Sequence, residues 1–157
     1  MALKLVTHRC DSAKTKRSLP PFDRAVRYAK EGWWDGGRLL RDPWYVQVLE
    51  DDVEVGRVAL DDYPPELDPE YRGAPRLGRE RLKIQFIAVA EMERGRGIGP
   101  RVVRALVEEH ADRRFFAYSE GADRFWASLG WKRFATPDGL RAPLFIQPVR
   151  RAFDQRE

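Results

Sequence analysis

The feature that most constrains this chain is the segment Arg94-Gly95-Arg96-Gly97-Ile98-Gly99, set between an apolar run and an amphipathic one. Before it, residues 82–89 read Leu-Lys-Ile-Gln-Phe-Ile-Ala-Val, alternating first and then continuously apolar. That pattern predicts a central strand emerging from a half-exposed start. After it, Val102, Val103, Leu106 and Val107 share one face of a helix predicted over residues 100–110, with Pro100 in the first turn, where a missing N–H costs nothing. A glycine-rich turn from a strand into a helix start is an anion site. The first helical turn presents unpaired N–H groups and the positive end of the dipole. Glycine permits positive φ and lets a ligand approach the backbone. Arg94, Arg96 and Arg101 add flanking charge.

The common phosphate loops do not match. A dinucleotide fingerprint starting at Gly95 would need glycine or alanine at Pro100, and a P-loop would need Gly-Lys-Ser/Thr, which is absent. A plain glycine turn before a helix is the ordinary alternative.

The remaining chain alternates short strands and helices. Residues 2–8 alternate weakly as a strand, and 9–18 form a polar, basic loop. Phe22, Ala25, Val26 and Ala29 recur at three- and four-residue steps, which predicts a helix over 22–30, and a second short helix is compatible with 37–41. Residues 44–50 and 53–60 read as a hairpin turning at Asp51-Asp52. Residues 61–80, with four prolines, read as a long functional loop. A strand at 115–118, a helix at 122–129 capped by Gly130, and strands at 131–134 and 144–149 complete an α/β (α+β) pattern. The length of 157 residues suits one domain spanning 1–157, with 150–157 a frayed tail.

Composition excludes several classes. An apolar share of 43% with five Trp and eight Phe rules out whole-chain disorder. The lone Cys10 rules out an internal disulfide and a cysteine-built zinc site, and no metal ligand set is expected. No apolar run approaches a membrane span, and residues 1–10 lack a signal-peptide layout, so a cytoplasmic setting with no membrane partner is the expectation. The net charge of +4, carried by 23 Arg and six Lys, points to polyanions. The charge is uneven: +5 over residues 1–44, −6 over 45–80 and +5 over 81–157. A uniform nucleic-acid coat would not need the acidic centre.

Two motifs together carry a resemblance. Val89-Ala-Glu-Met-Glu-Arg94-Gly-Arg-Gly97-Ile-Gly99 resembles the pyrophosphate-binding motif of the GNAT superfamily of acetyl-CoA-dependent N-acetyltransferases. Downstream, Ser119-Glu-Gly-Ala122-Asp-Arg-Phe125-Trp126-Ala-Ser-Leu129-Gly130-Trp131 resembles that family's Asn-x-x-Ala-x-x-Phe-Tyr segment and the Leu-Gly-Phe after it. The resemblance covers at least residues 82–134. It implies a single domain built on a mixed, mostly antiparallel central sheet, splayed between the fourth and fifth strands and flanked by helices.

It also implies acetyl transfer from acetyl-CoA to a primary amine, small molecule or protein, in a ternary complex, with acetyl-CoA as cosubstrate and no metal. The cofactor-binding positions that match are Arg94, Gly95, Arg96, Gly97, Ile98 and Gly99 for the pyrophosphate. Ile87, Ala88 and Val89 match the positions holding the pantetheine arm, with a backbone N–H near Val89 as oxyanion donor. Ser119 stands where the family has Asn, and Phe125 would pack on the cofactor.

Two departures bear on catalysis. Trp126 replaces the tyrosine that protonates the leaving thiolate, and indole N–H is no usable acid at neutral pH. Tyr118 is a conceivable substitute that also reads as an ordinary strand tyrosine. Lys83 stands where some members carry a basic glutamate, and Gln85 is two along. A base must then come from Glu54, Asp61, Asp62 or Glu91, each of which also reads as a solvated surface carboxylate. His8, His110 and Cys10 have no evident chemistry.

The acidic centre suggests attraction of a cationic acceptor, with Tyr63 and Tyr71 packing on its apolar part. Two alternatives remain: a non-catalytic acyl-CoA-binding module, and a nucleic-acid-directed enzyme using Arg9, Lys14, Lys16, Arg17, Arg24 and Arg27. Homodimers are common in such folds, but no interface is readable.

Overall fold

The computed structural model describes residues 2–9, 22–34, 41–62 and 67–149. Among these residues, seven strands form one sheet: β1 (Lys4–Arg9), β2 (Pro43–Glu50), β3 (Val53–Asp61), β4 (Arg81–Val89), β5 (Arg114–Tyr118), β6 (Lys132–Phe134) and β7 (Leu144–Ile146), in the spatial order β1-β2-β3-β4-β5-β7-β6. Two helices, α1 (Ile98–Glu109) and α2 (Asp123–Ser128), pack on it. Every neighbouring pair is antiparallel except β4–β5. The β2–β3 turn forms as expected. Asp51 and Asp52 both adopt positive φ, 51° and 64°, the two left-handed residues of the turn that matches strand twist.

The β4–β5 junction organises the molecule. The two strands pair over only three rungs, Arg81↔Arg114, Leu82↔Phe115 and Lys83↔Phe116. Beyond Lys83, β4 stays with β3 while β5 turns to β7, so the sheet opens into a V. β4 is also bulged. Its register with β3 steps from Ala59↔Phe86 to Leu60↔Ile84, leaving Gln85 as the extra residue. Such bulges re-aim the chain beside functional sites.

One face of the sheet carries the main core. Val102, Val103 and Leu106 of α1 and Trp126 of α2 pack there on Val58, Leu60, Leu82 and Phe115. The opposite face carries two separate clusters. Trp34, Tyr45 and Ala59 gather Phe22, Trp33 and Phe86. Tyr71, Leu77, Phe116, Phe134, Leu144 and Ile146 form the second.

Several sequence expectations are corrected. Residues 22–30 are turns, not a helix, followed by a 3-10 turn at Glu31–Trp34. The Asp23 carboxylate accepts the Ala25 N–H at 2.9 Å, and Arg57 draws the Asp23 and Val26 carbonyls, so a helical ladder is pre-empted. Ala25 and Ala29, assigned to an apolar face, are exposed. The exposure of β4 is reversed: Leu82 and Ile84 are buried, and residues 85–89 are half-exposed because they border the V. Tyr71 is 3% exposed and donates its hydroxyl to the Ala142 carbonyl at 2.7 Å, so it pins the 67–80 loop and is not free for an acceptor. Tyr63, Cys10, the predicted loop beyond Arg9, the predicted helix at 37–41 apart from Arg41, and the tail beyond Val149 lie outside the described residues. Among the described residues, no helix is long and apolar enough to cross a membrane.

Candidate active site

Two adjoining spaces lie in the V and share Trp33, Ile87, Ala122 and Phe125 as walls. The larger, about 420 Å³, is lined by Ile87, Ala88 and Val89 of β4, by Glu93, Arg94, Gly95 and residues 97–100 of the loop, and by Ala122 and Phe125. Ala29, Lys30 and Trp33 close its outer side. The smaller, about 70 Å³, continues toward the closed end of the V, between residues 84–87 of β4 and Tyr118, Glu120, Ala122, Phe125 and Trp126. Trp33 borders both and stacks on Phe86, rings 4.8 Å apart and 19° from parallel.

The open edge of β4 is polar. Ala90 N–H donates to the Val55 carbonyl at 2.9 Å, toward β3. Backbone groups alternate along a strand, so the N–H and C=O of Val89 and Ile87 face the V, where no strand among the described residues meets them. At its upper end, Gly97 caps α1 with φ 71°, no side chain caps the helix, and its first turn holds no acidic residue. The amides of Ile98 and Gly99 and the positive dipole end are therefore directed at the larger cavity. Gly99 answers to packing: a Cβ there would lie 3.0 Å from Phe125 Cε1.

The flanking arginines differ in role. Arg94 is exposed and lines the cavity. Arg96 turns away, paired with Glu93 and, at 2.7 Å, with Glu50. Arg101 reaches the same Glu50 at 3.4 Å. The Arg96 hydrogen bond holds the Glu50 carboxyl below the usual carboxylate range. Ser119 is also engaged elsewhere: its hydroxyl donates to Asp123 Oδ1 at 2.6 Å and accepts the Ala122 N–H at 3.0 Å. It fixes the turn into α2 and lines neither cavity.

The carboxylates named from sequence do not converge on the slot. Glu54 is 2% exposed, not a solvated surface group. It accepts from Arg57 Nε at 2.8 Å, from Tyr28 Oη at 2.9 Å, from Gln47 Nε2 at 3.0 Å and from the Asp23 N–H. Burial and Glu54 push the Tyr28 phenol far up. Glu91 is exposed and borders neither cavity. Asp61 accepts the Asp42 N–H, and Asp62 pairs with Arg113. Asp68 pairs with Arg141. The acidic centre is thus largely cross-linked by arginines, and the expected open field for a cationic acceptor is not what it forms.

Four groups in or beside the slot were missed or set aside in the sequence. Glu120 is exposed and lines the smaller cavity. Tyr118 lines it too, and burial raises its phenol. Lys83 lies on the last β4–β5 rung with its ammonium 5.3 Å from the Tyr118 ring centre. Burial lowers Lys83, against the opposing pull of Asp61 and Glu120. Trp33, the divider of the two spaces, gave no signal beyond being half of a Trp-Trp pair.

The model of the acetyltransferase (GNAT) family matches residues 8–131. The chain belongs to the GNAT acetyltransferase family. No curated protein matches it. Among solved structures, a mutant AtaT toxin bound to the C-terminus of the antitoxin AtaR is similar at 13% identity and TM-score 0.58, covering 92% of each chain. An acetyltransferase from Thermus thermophilus is similar at 16% identity and TM-score 0.52, covering 68% of this chain and 64% of that one. The aminoglycoside acetyltransferase AAC(6')-Ib in complex with coenzyme A is similar at 20% identity and TM-score 0.52, covering 73% of this chain and 71% of that one. These likenesses are of fold. GNAT membership makes acetyl-CoA the expected cosubstrate, and the open β4 edge and uncapped α1 terminus suit a ligand with amides along its arm and phosphates at its end.

Proposed function

We propose that this chain transfers an acetyl group from acetyl-CoA to a primary amine, which attacks the thioester while both are bound. The observation that carries this reading is the pair of adjoining cavities that run from the α1 N-terminus along the free edge of β4 and share Trp33, Ile87, Ala122 and Phe125 as walls. The α1 amides and Arg94 hold the pyrophosphate. Ile87 and Val89 pair with the pantetheine amides as a neighbouring strand would. The Ile87 N–H, at the mouth of the small chamber, donates to the thioester oxygen as negative charge grows there. Tyr118, kept neutral by burial, donates a proton to the departing thiolate. Trp126 cannot supply one. Glu120 receives the amine's proton, directly or through water.

Calorimetry with coenzyme A, paired with amine-dependent thiol release, tests the reading. Saturable binding with release supports it. Absence of binding at millimolar coenzyme A sinks it, and binding without release from any amine leaves a non-catalytic acyl-CoA module.

A second reading has its own observation. Arg24, Arg27 and Lys30 are exposed, and Lys30 lines the slot. An amine carried on a nucleic acid would meet that basic rim, and a second AtaT structure, similar at 12% identity and TM-score 0.57, is complexed with acetyl-methionyl-tRNAfMet. Binding to RNA that falls steeply with salt would favour this acceptor.

A further inference from the structure

The cavity along β4 narrows abruptly, from about 420 Å³ beside the loop to about 70 Å³ at its inner end. Along the sheet the inner end is closed, and exposed Glu120 marks its solvent side. Lys83↔Phe116 is the last rung joining β4 to β5, so the V is closed just beyond Ile84. Its walls are large and braced. Trp126 is 4% exposed, lies 4.8 Å from Trp131 and meets Phe125 edge-on at 4.9 Å. Ile84, on the opposite wall, is 2% exposed within the main core. Phe86 is held by its stack on Trp33. Displacing an indole wedged between two aromatic rings would force the core off its packing, which such interiors resist.

We propose that Trp126 is the gauge of acyl length, and that the chamber it walls takes a two- or three-carbon acyl group and rejects longer ones. The inference rests on the acyl-transfer reading, because it places the thioester at the mouth of this chamber. It gives the tryptophan a role that needs no acidity: the indole fills volume. A methylene that a rigid apolar pocket cannot accommodate changes affinity by roughly 10-fold or more.

The test measures the affinities of coenzyme A, acetyl-CoA, butyryl-CoA and hexanoyl-CoA by calorimetry, so it does not depend on an acceptor amine. The wild type should bind acetyl-CoA at least as tightly as coenzyme A, and hexanoyl-CoA about 10-fold or more weakly than acetyl-CoA. Trp126→Ala should bring hexanoyl-CoA to within about 3-fold of acetyl-CoA. Ile84→Ala, which opens the same chamber from the other wall, should move the ratio in the same direction if Trp126→Ala does not fold. Equal wild-type affinity for all four ligands overturns the gauge and leaves the acyl-transfer reading standing. Discrimination by the wild type that persists in a folded Trp126→Ala assigns the limit to another wall and also overturns it. Failure to bind coenzyme A at all defeats the acyl-transfer reading and the gauge with it.

Discussion

Arg94 and Arg96 are indistinguishable in the sequence, yet only Arg94 lines the slot, while Arg96 is held by Glu50, a residue 46 positions away. Arg94→Ala should weaken coenzyme A binding by about 10-fold or more, since a hydrogen bond to a charged group contributes roughly 1.5–3 kcal/mol. Arg96→Ala should weaken it less. Calorimetry of both variants at one ionic strength reads the difference, and equal losses would mean that Arg96 turns to the ligand. Lys83 supports a second residue-level prediction. Its folded-state pKa is lowered, so between that value and the unfolded value near 10.4 the unfolded chain binds more protons and stability rises with pH. Below that window the buried charge costs stability in full. Lys83→Met should therefore raise the thermal midpoint at pH 7, with the gain shrinking toward pH 10. A gain that does not change with pH would point to packing instead. What the sequence revealed at this scale was the loop and its glycines. It could not reveal Glu50 as the partner of Arg96 across 46 positions, nor the pairing of Arg57 with Glu54, three apart on one strand where the β2–β3 register shifts, and so it misassigned Glu54.

Elements were legible where one periodicity ruled them. The β2–β3 hairpin, α1 and α2 follow the patterns of Val46/Val48, Val102/Leu106 and Trp126 that bury them. The helix expected at 22–30 failed because Asp23 and Arg57 claim its backbone, and Arg57 comes from a distant strand. The bulge at Gln85 left no trace in the sequence, since it is a property of pairing with β3. Asp52 offers a check on the hairpin. Its φ of 64° suits glycine better, so Asp52→Gly should stabilise by about 0.5–1 kcal/mol in denaturant titrations. Coenzyme A affinity should be unchanged, since the turn borders neither cavity.

At the scale of the whole molecule, the acidic centre that the net charge concealed is a set of ties. Glu50 joins the hairpin to the loop through Arg96 and Arg101, Asp62 joins β3 to Arg113, and Asp68 joins the 67–80 loop to Arg141. Glu50, Asp68 and Asp138 all titrate below their ordinary range, held first by the Arg96 bond, by the Glu70 amide and by the Leu140 amide respectively. Because the folded values are depressed, the stability they contribute is fully present above the ordinary carboxylate values near 4 and is lost as pH falls through the folded ones. The thermal midpoint should fall in acid below about pH 4 from this cause. A midpoint unchanged between pH 5 and pH 3 would show that the ties do not couple to folding.

The three-rung join of β4 to β5 gives the sheet a zipper left mostly undone. The two flaps, β1–β4 on one side and β5–β7 on the other, share few backbone bonds, so the free edge of β4 is where amide protons should leave fastest for a strand so central. A ligand lying along that edge would act as a temporary eighth strand and fasten the flaps together. Hydrogen exchange at Ile87 and Val89 should therefore slow on adding coenzyme A, while their neighbour Ala90, already bonded to Val55, should change little. Under the proposed function, completing the sheet and loading the coenzyme are the same event.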